Sequence, residues 1–233
     1  MKNIEKIINS YNKIHSESEK LLELPLFYEW ILDKLKVRSH MRLLDIASGS
    51  GSLVKSAQSR NIFSVGIDIS KVAVEKANSK VLYPKFIVGD GEKLPFPDDS
   101  FDYVTNIGSL EHFIHPCFGL KEIRRVLRNS GRAAIFLPNS YYIGDIIFNV
   151  MLHGNGPSHN QIIDRFKTKN EWMKMIEENG LVVNKIYYYN SLFPRTKQDW
   201  IYLLKRPNKI FALLSSPLIP KNLSYSFLYI CQF

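Results

Sequence analysis

Apolar residues along this chain fall first into a helical rhythm and then into an alternation of strands and helices. Ile4, Ile7, Ile8, Tyr11 and Ile14 recur at helical spacing, and a second helical pattern over 21–36 is interrupted near Pro25. Buried-strand runs are expected at 42–46, 63–68, 85–88, 101–107 and 133–137, and helices starting at Gly51, at Ser70 (70–80) and at Gly119 (119–128) fall between them. Asn129, Ser130 and Gly131 predict a turn before the fifth strand. A further helix over 169–179 has Thr168 as its N-cap and Gly180 as its stop, and strands at 181–189 and 224–231 complete the series. Strands separated by helices predict an α/β fold around a parallel sheet.

Two stretches break the rhythm. Residues 141–163 cluster aromatics around a turn at Gly154, Gly156 and Pro157, and read as a substrate-side insertion. Residues 191–222 mix four prolines with apolar runs and bases. The chain is expected to form one domain over 1–233, with N-terminal helices in 1–40, a ligand-binding half in 41–139 and insertions at 140–167 and 191–223.

Composition adds little to this picture, but charge does. The net charge of +9 is concentrated late in the chain: from Ser191 onward, Arg195, Lys197, Lys205, Arg206, Lys209 and Lys221 face Asp199 alone. Trp200, Ile201, Tyr202, Leu203 and Leu204 lie beside these bases, so 195–221 reads either as a peripheral membrane contact or as a helical lid or oligomer contact. Cys117 and Cys231 are too few and too distant for a disulfide framework or a zinc site, which fits a reducing compartment. The first ten residues lack the apolar core of a signal peptide, and no stretch reaches the roughly 18 apolar residues of a membrane span. A cytoplasmic protein, at most attached to a membrane surface, is expected.

The chemistry concentrates at predicted strand ends. The first strand ends in Asp45, Ile46 and Ala47 and opens into a turn containing Gly49 and Gly51, where backbone can approach a ligand closely. Val54 stands where a dinucleotide fingerprint requires its third glycine, which disfavours a nicotinamide cofactor. Asp45 suits a ligand with a cationic amino-acid portion and would repel a pyrophosphate. Asp68, ending the second strand, can accept hydrogen bonds from both hydroxyls of a ribose; it also reads as a helix cap competing with Ser70.

A third run, 89–102, contains Asp90, Gly91, Glu92, Leu94, Pro95, Phe96, Pro97, Ser100, Phe101 and Asp102. Together with the glycine turn, with 107–112 and with 122–131, it resembles the S-adenosylmethionine (SAM)-dependent methyltransferases of class I, in the ubiquinone/menaquinone-biosynthesis-like type 11 group. The resemblance covers roughly 43–139. It implies a Rossmann-like seven-stranded, mostly parallel sheet with helices on both faces and the last strand antiparallel, paired with 181–189. It also implies that Asp45, Ala47 and Gly49 line the methionine portion of SAM, that Asp68 and Ile69 hold the ribose and flank the adenine, and that Asp90, Gly91 and Glu92 meet the purine. Gly51 and Ile107 complete the expected cofactor set. Ala47 and Ser130 depart from the glycines that many members have.

The expected reaction is methyl transfer to a small lipid-like, quinone or saccharide-type acceptor, releasing S-adenosylhomocysteine (SAH). Positioning supplies much of such a reaction, and a base is needed only where the acceptor loses a proton. His112, after the fourth strand, is the candidate base or acceptor contact; a helix-starting histidine packed on a loop is the competing reading. Glu111, Tyr141, Tyr142, His153 and His159 are candidate acceptor residues. Glu111, His112 and His115 match no common zinc spacing, so no metal is expected. Two other classes stay open: an RNA methyltransferase, raised by the charge but lacking an appended RNA-binding module, and a non-catalytic SAM-binding protein.

Overall fold

Near-continuous apolar runs bounded by a charged residue make the central strands, because strands covered by helices on both faces have no polar side to display. The computed structural model describes residues 2–17, 25–79, 86–158 and 161–233. In chain order the elements are α1 (Lys2–Glu17), α2 (Pro25–Leu35), β1 (Arg42–Ile46), α3 (Ser52–Gln58), β2 (Phe63–Asp68), α4 (Lys71–Asn78), β3 (Phe86–Val88) and β4 (Phe101–Ile107). A 3-10 turn at Leu110–His112 leads to α5 (Pro116–Val126), β5 (Leu127–Pro138), and α6 (Ile143–Asp145), which runs on as a π-helical segment, Ile146–Met151. Then come α7 (Lys169–Glu178), β6 (Val182–Tyr189), α8 (Lys197–Leu204), α9 (Pro207–Ser215) and β7 (Ser226–Gln232).

The seven strands form one sheet in the order β3-β2-β1-β4-β5-β7-β6. Pairings from β3 through β5 are parallel, and β7 runs antiparallel to both β5 and β6, as the resemblance implied. Side chains of successive strand residues divide between two cores, following the period of two. Leu44, Ile46, Val104, Ile135, Phe227 and Tyr229 pack with Leu120 and Ile123 of α5 and with Trp172 and Ile176 of α7. On the opposite face Leu43, Tyr103, Phe136, Leu228 and Ile230 pack with Phe27, Ile31 and Leu35 of α2 and with Leu53 and Ala57 of α3.

Several sequence expectations shift. Of the helical pattern expected over 21–36, the described residues form α2 from Pro25 to Leu35, and proline fits within a first helical turn because it loses no helical hydrogen bond there. The helix expected over 119–128 begins at Pro116 and ends at Val126. The turn expected at 129–131 is an outward bulge in β5: Phe101 pairs with Leu127 and Tyr103 with Arg132, leaving the residues between to loop out. Ser130 lies exposed on that bulge with no left-handed backbone, so glycine's freedom is not needed there. Thr168 caps α7 as expected, within a full capping box closed by Glu171, and Gly180 ends the helix at φ 88°. The expected strand residue Lys85 and helix residue Lys80 lie outside the described residues, as do residues 21–24.

Candidate functional site

The C-terminal tips of β1, β2 and β4 surround a cavity of about 440 Å³, within the range of small-molecule sites and at the sheet edge where open α/β folds bind ligands. Asp45, Ala47, Gly49, Asp68, Ile69, Asp90, Gly91, Glu92 and Ile107 all line it, as does His112.

Asp45 is buried and accepts a 2.7 Å hydrogen bond from Thr105 Oγ1. Burial pushes its carboxyl up to about 7, and neighbouring Asp68 adds to the shift. A cation arriving beside it would restore the charged form. Asp68 Oδ2 accepts from the Gly49 amide at 2.8 Å and Oδ1 from the Ser70 amide at 2.8 Å. This carboxylate therefore ties the glycine turn to the start of α4. Ser70 itself caps that helix through Ala73 N, so Asp68 supports the cap without competing for it. Burial raises the Asp68 carboxyl despite these bonds, and it lowers the nearby His15 imidazole.

Asp90 Oδ1 accepts from the Glu92 amide at 2.8 Å, fixing the turn in which Gly91 approaches the cavity. A Cβ at Gly91 would stand 2.6 Å from Phe113 and 2.9 Å from Ile46. The loop behind this turn is held by the helix that follows. Glu122 accepts from Leu94 N at 2.7 Å, and Arg125 donates to the carbonyls of Leu94 and Phe96 and pairs with Glu122 and Asp98. Arg125 holds the Glu122 carboxyl below its ordinary range.

The glycine turn carries one left-handed non-glycine, Ala47, at φ 57°. Gly51 has a different neighbourhood from the rest of the expected cofactor set. A Cβ there would fall 2.3 Å from the ring of Phe86, and the residue does not line the cavity. Two buried hydroxyls that do line it, Ser48 Oγ and Ser109 Oγ, have no protein hydrogen-bond partner.

The acceptor-side candidates divide. His112 borders the cavity with Nδ1 against the carbonyl of Ile163 and 3.4 Å from Asp164 Oδ1, while Nε2 lies 3.7 Å from Glu111 Oε1. Glu111 is buried beside the cavity without lining it, and burial together with Asp164 pushes its carboxyl up to about 8. Tyr141 is exposed, Tyr142 packs edge-on against Tyr225 at 5.1 Å, and exposed His153 turns back onto the Phe148 carbonyl. None of these three lines the cavity, and His159 lies outside the described residues. Among the described residues no group of His, Cys, Asp and Glu is placed to hold a metal ion.

The sequence reading missed the roof. Ile4, Ile7, Tyr11, Ile14 and His15 of α1 cover the cavity. Asn12 Oδ1 accepts from Ser70 Oγ at 2.8 Å, Lys76 Nζ donates to the His15 carbonyl, and Tyr11 OH donates to Gln161 Oε1 at 2.8 Å. Gln161 brings the β5–α7 connection into the wall, and Arg165 secures that stretch by donating to the carbonyls of Glu111, Phe113 and Ile114. The usable sequence signal was the apolar stripe of α1, which carries Tyr11 and His15 four residues apart on its inward face.

Comparison with known proteins places this geometry in a family. Residues 44–135 match the family described as "Methyltransferase domain". The chain is 30% identical to the "Uncharacterized methyltransferase YcgJ" of Bacillus subtilis (strain 168) over 70% of its own length and 65% of that protein. It is 32% identical to the "Ubiquinone/menaquinone biosynthesis C-methyltransferase UbiE" of Rickettsia rickettsii (strain Sheila Smith), over 65% of this chain and 72% of the relative. It thus spans just under two thirds of YcgJ and somewhat more of UbiE. In fold it is similar to a putative methyltransferase solved with the Haloferax volcanii Trm112 methyltransferase activator, with a TM-score of 0.71 at 19% identity, covering 97% of this chain and 96% of that one. Strand-tip acids, glycine turn and sequence kinship converge: the chain belongs to the class I SAM-dependent methyltransferases, in the type 11 group that includes the UbiE C-methyltransferases.

Proposed function

We propose that the chain acts as one unit over 1–233 and transfers a methyl group from SAM to a small apolar acceptor bearing an acidic hydroxyl, of the quinol or phenolic-lipid kind. The residues fit SAM. Asp45 suits its ammonium, Asp68 its ribose and the Asp90–Glu92 turn its purine, while Ser48 and Ser109 offer two buried hydroxyls without protein partners. When bound, SAM supplies an electrophilic methyl group on a sulfonium.

The acceptor reading rests chiefly on the wall around His112. Ile4, Ile7, Ile14 and Ile114 line the same cavity as His112 and make much of its lining apolar, which favours a ring or lipid tail over a saccharide. The names of the UbiE relatives point the same way. A carbonyl can only accept, so the contact with Ile163 O keeps the proton on Nδ1 and leaves Nε2 as the basic nitrogen. Nε2 would then take the acceptor's hydroxyl proton, so that the acceptor's oxygen, or a ring carbon that afterwards gives up its own proton to solvent, becomes nucleophilic toward the methyl that bound SAM would supply. Asp164, beside Nδ1, stabilises the imidazolium that forms.

Radiolabelled methyl transfer across a panel of quinols, phenolic lipids, sugars and RNA tests this. Incorporation into a quinol or phenolic lipid is expected. His112→Asn should lower kcat by about 100-fold, in the range of lost general-base catalysis, with SAH affinity within about threefold. Wild-type rates in that variant, or label appearing only in sugar or RNA, would contradict the proposal.

A further inference from the structure

The connections 139–168 and 190–225 leave the sheet side by side, because Pro138 of β5 and Tyr189 of β6 both pair with Ser226 of β7. Asn139 joins them by donating to the carbonyls of Asn222 and Ser224 at 2.9 and 2.8 Å, and Tyr142 packs on Tyr225. Both carry large apolar side chains into water. Phe148, Met151 and Leu152 in the first, with Phe193, Trp200 and Leu204 in the second, are between 46 and 72% exposed. From Ile146 to Leu152 there is no charged residue at all. Within each connection these side chains lie close in sequence, and Phe193 packs edge-on against Trp200 at 5.9 Å; clustered apolar surface of this kind marks a contact site, whereas scattered exposed residues do not.

The charge on the second connection is one-sided, while the first carries Asp145 and Asp164 against Arg165 and Lys167. In 191–223 the single acid, Asp199, is buried and turned inward to the amides of Arg195 and Thr196. The exposed charges of that segment, among them Lys197, Lys205 and Arg206, are all basic. A second copy of this chain meeting the same face through a twofold axis would set base against base. No helix among the described residues is long and apolar enough to cross a membrane. We propose that these two connections form a docking surface for an anionic lipid bilayer, with Phe148, Met151, Leu152 and Trp200 entering the headgroup boundary and the flanking bases meeting lipid phosphates. This inference does not depend on the acceptor reading.

Flotation of the full chain with vesicles of phosphatidylcholine alone, or mixed equally with phosphatidylglycerol, tests it. Binding to the mixed vesicles, at least tenfold weaker binding to the neutral ones, and release by 0.5 M salt are expected. The double variant Met151→Glu/Leu152→Glu should lower partitioning at least tenfold while SAH affinity stays unchanged, which also shows the variant is folded. Lys205→Glu/Arg206→Glu should remove the preference for anionic lipid. Equal binding to both vesicles, no binding, or wild-type partitioning by the first variant would overturn the proposal. So would a concentration-dependent dimer abolished by Met151→Glu/Leu152→Glu, which would assign the surface to a second copy.

Discussion

The two sides of the cavity are built by different rules. On the strand-tip side, the acids lie within a few residues of a strand end, and their partners come from the next turn or the adjacent strand: Asp45 with Thr105, Asp68 with Gly49 and Ser70, Asp90 with Glu92. On the roof side, partners lie far apart in sequence, as where Tyr11 meets Gln161 and Asn12 meets Ser70. The first side is a frame built by local contacts, and the second is a cover assembled from distant segments. Losses on the frame should therefore fall on cofactor binding, and losses on the cover on acceptor handling.

The largest expected effect tests the frame. Asp68→Ala strands the amides of Gly49 and Ser70 and removes the proposed ribose acceptor, so SAH affinity by calorimetry should fall by about 100-fold, or roughly 2.7 kcal/mol. A change under threefold would show that the turn does not need its carboxylate.

Asp45 sharpens the same side through pH. Its folded carboxyl sits near 7, above the ordinary value of 3.8, so its contribution to the stability of the ligand-free protein is complete below about pH 4 and is lost as pH rises through 7. In the proposed site the ligand's ammonium pairs with the ionised form, so SAH affinity should rise from pH 6 to pH 8. Asp45→Asn should flatten that rise and weaken binding by about tenfold at pH 8. A wild-type affinity independent of pH would remove the proposed pairing.

The cover should respond more mildly. Tyr11→Phe deletes the bond to Gln161, an effect of about 1 kcal/mol, and should raise the acceptor KM about fivefold with SAH affinity little changed. If SAH affinity falls instead, α1 belongs functionally to the frame. The smallest effect belongs to Ala47→Gly. Relief of the left-handed backbone and the greater freedom of unfolded glycine nearly cancel, leaving a stability change of about 0.5 kcal/mol or less in urea denaturation.

The same division explains what could be read from the chain. The bounds of β1, β2 and β4 and the acids at the tips of β1 and β2 follow from local apolar runs, so the sequence reading located them directly. Gly51 was read as a ligand glycine because its spacing looks alike whether the space it leaves is filled by a ligand or by Phe86. The bulge of β5 was taken for a turn because Asn129, Ser130 and Gly131 serve both. Tyr141, Tyr142 and His153 looked like acceptor residues by composition, whereas the wall uses Gln161, placed there by Arg165 and Tyr11 across distances no local pattern encodes.

The hairpin of β6 and β7 has a consequence for how such a protein can diversify. Its two strands are zipped over their whole length, so the stretch between them hangs from a fixed clasp. Doubling a flexible loop held at both ends costs only about 0.6 kcal/mol in closure entropy. New sequence can therefore be spliced into this stretch, and new partners or substrates tried there, while the sulfonium-binding machinery several strands away keeps its register.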